Sequence, residues 1–294
     1  PTYGMALFFV GLWGIGSATF HPQGHGGVGH VVPRDKLTVS LAVFAVAGNI
    51  GVTVSPLFAV ALTKIVGIEK IPYIAIIPVL ILAFAIYRYM PVLSDEVTEF
   101  PKDQGGLFHS IFSVFAVIYP VWIVSMARDA TSQGIRFFLP IRIVAEGGDI
   151  GMVGTVLFIV MLGSTIAMLI SGKLSDRWGK VRVLTLILIA GPAIMIPATY
   201  VKGNMSLVLY ILGTSLINSS MPITAAVAQE QVPNSRGVAS SIVMGLSWGV
   251  ANLLTGPLGK VADVFGIPTT MLFIALLPLL ALPVVFLKTF RGAQ

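Results

Sequence analysis

The sequence predicts an all-α integral membrane protein, and three observations predict it. Apolar residues make up 56% of the 294 and charged residues only 10%, whereas a soluble domain carries about 25% charged residues. Apolar runs of membrane-crossing length, about 20 residues, recur along the whole chain. Lysine and arginine gather on alternate connections between those runs, as they do in loops on the cytoplasmic side. In this context the formal charge of +6 reads as loop charge, and no nucleic acid is expected as a partner. With no cysteine, disulfides, thiolate nucleophiles and cysteine metal sites are excluded.

The runs fall at 3–22, 38–63, 71–91, 110–140, 151–171, 182–201, 205–229, 237–262 and 267–289, which makes nine spans. Prolines inside them predict kinks rather than breaks, because neighbouring helices satisfy the freed carbonyls. One set of connections and the C-terminal end holds Arg34, Lys36, Arg88, Lys102, Lys173, Arg177, Lys180, Arg182, Arg236, Lys288 and Arg291. The other holds Lys64, Lys70, Arg142, Lys202 and Lys260. The asymmetry places the C-terminus in the cytoplasm and the chain in the cell (inner, cytoplasmic) membrane.

Between the fifth and sixth spans runs Gly172-Lys-Leu-Ser-Asp176-Arg177-Trp-Gly179-Lys180-Val-Arg182. An ordinary positive loop explains its basic residues but not the spacing of glycine and aspartate. The run resembles the cytoplasmic loop signature of the major facilitator superfamily of secondary transporters. Gly172, Asp176, Arg177, Gly179 and Lys180 fit, Val181 departs, and the second positive charge falls at Arg182. The resemblance implies a gating loop in which Asp176 and Arg177 hold the cytoplasmic side through charge and helix-terminus contacts.

An internal echo supports the architecture. His21-Pro22 followed by Val32-Pro33 returns as Met221-Pro222 followed by Val232-Pro233, and Gly48 and Pro56 return as Gly249 and Pro257. Parallel six-helix repeats build such transporters. The expected fold is therefore nine of twelve transmembrane helices, helices four to twelve, with the first three preceding residue 1. Residues 1–91 form a partial N-terminal bundle, 92–109 a polar cytoplasmic linker rich in glycine and acid, and 110–294 a C-terminal six-helix bundle. Pro22, Gly48, Gly51, Pro56, Gly256 and Pro257 are expected hinge or packing positions.

Within the superfamily, Gly14-Ile-Gly16-Ser17-Ala-Thr-Phe20-His21-Pro22, Gly48-Asn49-Ile-Gly51 and Ala228-Gln229-Glu230 resemble the fosmidomycin-resistance branch of efflux proteins. Gln23 stands where that branch carries an acid, and Ser55 and Ala59 where the antiporter pattern has glycines. Gly24-His-Gly26-Gly-Val-Gly29 fits a dinucleotide fingerprint, but no strand precedes it. It reads better as a flexible glycine hinge, and His21, His25 and His30 lack the companions of a metal site. Neither a cofactor nor a metal is expected, and no enzyme signature is found.

The strongest chemical signal lies in the run at 110–140, where Arg128, Asp129, Gln133 and Arg136 interrupt an apolar span. A charge at the bilayer centre costs about 2.5–3.5 kcal/mol on insertion scales, so such groups face a cavity or a partner. Arg128, Gln133 and Arg136 are candidate contacts for an anionic substrate, since guanidinium forks suit carboxylates and phosphonates. Asp129, His21 and Glu230 are candidate proton carriers, with Glu230 also placed to form a structural charge pair beside Arg236. The alternative for Arg128 and Asp129 is an internal pair that locks helix packing. The expectation is a monomeric, proton-coupled exporter of a small molecule, working in the lipid bilayer by alternating access. Uptake symport of an organic anion and a non-transporting sensor or scaffold are the alternatives.

Overall fold

A chain in a bilayer must satisfy its own backbone hydrogen bonds, and this one does so as helix. The computed structural model describes residues 3–89 and 106–291, and among them no strand occurs. The long helices are α1 (Tyr3–Val31), α2 (Leu37–Val66), α3 (Ile71–Tyr89), α4 (Gly106–Ala145), α5 (Ile150–Trp178) and α6 (Lys180–Ala198). They are followed by α7 (Gly203–Asn218), α8 (Met221–Gln231), α9 (Arg236–Ser240), α10 (Ser247–Phe265), α11 (Ile267–Ala281) and the short α12 (Lys288–Arg291). Eight segments among the described residues are long and apolar enough to cross a membrane. The first expected span is a helix too, part of the 29-residue α1.

Three boundaries differ from the sequence reading for local reasons. The run at 205–229 is two helices, because Pro222 in the first turn of α8 restarts the chain after Asn218. The run at 237–262 contains a wide π-type turn, Ser241–Leu246, between α9 and α10. The last run tightens into a 3₁₀ turn at Leu282–Phe286, where Pro283 enters. Pro120 and Pro140 sit inside the 40-residue α4 without ending it, as expected of membrane helices. Of the expected linker, residues 92–105 lie outside the described residues, while residues 106–109 already belong to α4.

The main core is built from α4 to α11, with Ile118, Val121, Leu139, Leu184, Leu188, Tyr210, Ile274 and Val285 fully enclosed. The first helices join it through smaller contacts. Leu37 and Leu41 of α2 meet Ala225 and Ala226 of α8, and Ala45 and Val46 meet Met168 of α5. α3 buries none of its residues, and its apolar face is the surface a bilayer solvates.

The segment Gly24–Gly29, expected to be a flexible hinge, is instead the last turns of α1. Three of its four glycines, Gly24, Gly26 and Gly29, are positions of close approach. A Cβ on Gly26 would lie 3.0 Å from the Gly237 Cα in α9, and one on Gly24 would strike the Phe44 ring of α2. The expected packing positions Gly48, Gly51 and Gly256 stand in open space, where an added Cβ meets nothing within 4 Å. The backbone runs on as helix through Pro22 and Pro56, whose side chains lie outside the described residues.

Candidate functional site

Two constellations matter, one at the end that carries the Gly172–Arg182 run and one in the middle of α4. The run itself is not an open loop. Helix α5 continues through Trp178, α6 begins at Lys180, and the whole reversal is made by Gly179 at φ 89°. An L side chain at that φ would be strained, so glycine is required. One helical turn below, the Asp176 carboxylate accepts a hydrogen bond from the backbone N–H of Val39 at 3.1 Å. That amide is in the first turn of α2, where donors lack an intrahelical partner. An acid from the second half of the chain thus caps a helix of the first.

Gly172 makes that approach possible. A Cβ there would lie 3.0 Å from the Ala42 Cβ and 3.3 Å from the Thr38 carbonyl oxygen and the Val39 Cα. A second link runs through Gln229 of α8, fully buried. Its amide donates to the His25 carbonyl of α1 at 2.9 Å and to the Ser240 hydroxyl at 3.0 Å. With the Gly26–Gly237 contact, these bonds hold α1 and α2 against α5, α8 and α9. Arg177 is exposed. Lys180 pairs with Glu230 at 3.0 Å, so the expected charge pair of Glu230 forms with Lys180 rather than with its sequence neighbour Arg236. The nearer residue in sequence lies beyond the turn at Pro233–Ser235, whereas α6 starts beside the end of α8.

In mid-α4 the consecutive charges form a two-pronged pair. Arg128 Nε lies 2.8 Å from Asp129 Oδ1 and its Nη2 lies 2.9 Å from Oδ2. Nη1 donates to the Thr224 hydroxyl at 2.9 Å, and Nη2 reaches the Val243 carbonyl at 3.4 Å. Only 2% of Arg128 is exposed. Its donors are spent on the protein, which answers the cost of a buried guanidinium but leaves little for a ligand. Trp248 of α10 hydrogen-bonds the same carboxylate, and Arg136 acts on it electrostatically.

One to two turns along, the character changes. Gln133 is half-buried, Arg136 is exposed, and the Gln133 amide donates to Asn252 of α10 at 2.7 Å. Beside them Ser132 hydrogen-bonds Asn218 of α7, whose own amide donates to Ser164 of α5 at 3.0 Å. Of the three candidate substrate contacts, Arg136 is exposed, Gln133 is half-buried and bonded to Asn252, and Arg128 is enclosed. The side chain of His21 lies outside the described residues. Thr224, Val243, Asn218 and Asn252 escape sequence reading, since hydroxyls, amides and carbonyls carry no charge signal in an apolar run. Only Asn252 sits inside the echoed Gly249–Pro257 block. Among the described residues no cluster of three potential metal ligands occurs.

At the opposite end Arg142 is buried and ties α4 to its neighbours. It bonds Glu146 at 2.8 Å, the Ala198 and Val201 carbonyls at 3.0 and 2.6 Å, and the Tyr210 hydroxyl at 3.2 Å. Glu146 also accepts from the Gly203 N–H at 3.2 Å. Burial pushes this carboxyl up, but the Arg142 hydrogen bond, the Gly203 amide and the charges of Arg142 and Lys202 together hold it below its usual value.

The family model of the Major Facilitator Superfamily matches residues 1–256 and, in a second match, 121–292. An uncharacterized MFS-type transporter of Bacillus subtilis (strain 168), YfnC, is 26% identical over 283 residues, covering 94% of this chain and 68% of that one. The fosmidomycin resistance protein of Escherichia coli (strain K12) is 23% identical over 303 residues, covering 99% and 72%. The solved structure of the MFS transporter FucP in the outward conformation aligns with a TM-score of 0.73 at 16% identity, covering 93% of this chain and 72% of that one. That likeness speaks for the fold.

Proposed function

The chain belongs to the Major Facilitator Superfamily and is a multi-pass membrane transporter, and on that premise we propose that it exports a small anionic molecule, driven by protons. One observation carries the reading. A charged pair buried in mid-span, Arg128–Asp129, backs an exposed guanidinium, Arg136, and a half-buried amide, Gln133, on the same helix. Buried charge in a membrane helix is expensive and is kept where it serves a substrate or ion path. In this reading Arg136 grips the anionic group through its fork, and Gln133 with Asn252 sets its orientation. Asp129 balances the arginines and takes up the coupled proton, with His21 and Glu230 as the other candidate carriers. Substrate and coupling-ion sites in such folds lie near the midplane between the two halves.

Closure at the Asp176 end is then the closed cytoplasmic gate of an alternating-access cycle, with Asp176 and Gly172 as its working parts. The likeness to the fosmidomycin resistance protein favours export and makes fosmidomycin the first probe. The test is accumulation of labelled fosmidomycin in everted against right-side-out vesicles, with and without a proton gradient. Gradient-dependent uptake into everted vesicles is the expected result. Asp129→Asn should abolish gradient-driven transport yet leave substrate exchange intact. If both activities persist and only the amount of folded protein falls, the pair is structural.

A further inference from the structure

The helix that carries Gly237, Trp248 and Asn252 is not regular in its middle, and the irregularity lies where the charged pair touches it. In Ser241–Leu246 the backbone makes the wide π turn, which holds one residue more than an α-turn and recurs at functional positions. The Ser247 N–H bonds to the Ile242 and Met244 carbonyls. It thereby bypasses Val243, the carbonyl it would take in a regular helix. That carbonyl is the one Arg128 reaches at 3.4 Å. The Ser247 hydroxyl adds a further bond to Ile242, at 3.4 Å.

The two ends of the same rod serve different sites. On the near side of the turn, Gly237 packs on Gly26 and Ser240 receives the Gln229 amide that also holds His25 of α1. On the far side, Trp248 bonds Asp129 and Asn252 bonds Gln133. Resting on the transport reading above, we propose that Arg128 is a positioning residue that holds the wide turn open through Val243, coupling the charged site to the closed end. When the Arg128 bond is released, the Ser247 N–H can return to Val243 and the turn can close into regular helix. Taking up the extra residue rotates Arg236–Ser240 by about 100° relative to α10, one residue's step in an α-helix. Gly237 then leaves Gly26, Ser240 leaves Gln229, and the end opens. A rearrangement of the Arg128–Asp129 fork is thereby conveyed over roughly two helical turns by an element with two discrete arrangements, as coupling requires.

Because the chain has no cysteine, closure can be read in an otherwise native background by Ala45→Cys with Met168→Cys, which meet across α2 and α5. Oxidative cross-linking in membrane vesicles, scored after cleavage at a protease site inserted within residues 95–104, needs no transport. Arg128→Lys, which keeps the charge but loses the fork, should slow cross-linking about tenfold, the value of one charge-assisted hydrogen bond. Deleting Gly245 removes the extra residue while leaving both flanks as they are. It should cross-link like the parent, and in combination it should cancel the effect of Arg128→Lys. Should Arg128→Lys fail to insert, Arg128→Gln, whose side chain is too short to reach both Asp129 and the Val243 carbonyl, takes its place. Unchanged cross-linking in the substituted protein, or an equal loss with and without the deletion, overturns the proposal. If the parent moves no fosmidomycin but the cross-linking pattern holds, the transport reading fails and the coupling stands.

Discussion

Replacing Asp176 separates two parts of one contact. The carboxylate caps the first turn of α2 at 3.1 Å from the Val39 N–H, and it does so from the other half of the chain. Asp176→Asn keeps an oxygen that can accept this bond and removes the charge. The charge–dipole part is worth about 0.3–1 kcal/mol, a factor of roughly two to five in the balance between closed and open states. Asp176→Ala removes the bond as well, and losing a cap costs about 0.5–2 kcal/mol, so its effect should reach roughly tenfold or more. On the proposed alternating-access reading the contact belongs to the closed arrangement alone, so turnover of labelled fosmidomycin should fall in the order native, Asn, Ala, while binding affinity changes less. The same order should appear in cross-linking of the Ala45→Cys, Met168→Cys pair. Equal behaviour of Asn and Ala, or a loss in affinity with turnover unchanged, would refute the capping argument.

Other outcomes follow from the same geometry. Gly172→Val should impair closure by forcing α5 off α2, and Ala42→Gly should restore part of it, as measured by transport rate in the double variant. Lys180→Glu and Glu230→Lys should each lower the melting temperature in detergent, with partial recovery in the exchanged pair, since the ion pair is mostly enclosed. Arg136→Met should weaken substrate binding far more than thermal stability, whereas Arg128→Met should cost folded protein, because only Arg128 is buried among fixed partners. Glu146 has a folded-state pKa below its ordinary value, so its stabilisation is complete above the ordinary carboxylate range and is lost as pH falls through the lower folded value. Melting temperature should therefore drop between about pH 5 and pH 3 in the native chain, and Glu146→Gln should flatten that part of the curve.

The sequence made the fold legible because membrane solvation is a composition rule. Runs such as 151–171 and 182–201 need no partner to be recognised, since lipid accepts any apolar side chain and refuses unpaired backbone. What it hid were features set by neighbours rather than by the run itself. Nothing in Gly24–Gly29 distinguishes a hinge from a contact surface until Gly237 and Phe44 stand opposite it. The split at Pro222 was open to local reading, but the π turn at Ser241–Leu246 was not. No residue type demands such a turn, and it becomes intelligible only when a guanidinium from α4 claims the Val243 carbonyl.

The candidate site shows the same division. Charges in α4 announce themselves by their cost, so Arg128, Asp129 and Arg136 stand out of the run. Their roles depend on two or three residues of helical rotation, which turn Arg128 into the core at 2% exposure and leave Arg136 outside it. A buried arginine with every strong partner inside the protein cannot be the first contact of an arriving anion. It can, however, feel a change in the carboxylate it clamps. A charge that the ligand never meets can still decide which arrangement of the helix persists, provided the helix has two. The freed carbonyl beside Ser247 is the physical mark of that second arrangement, and it is the reason to separate Arg128 from Arg136 in mechanism although the sequence offers them together.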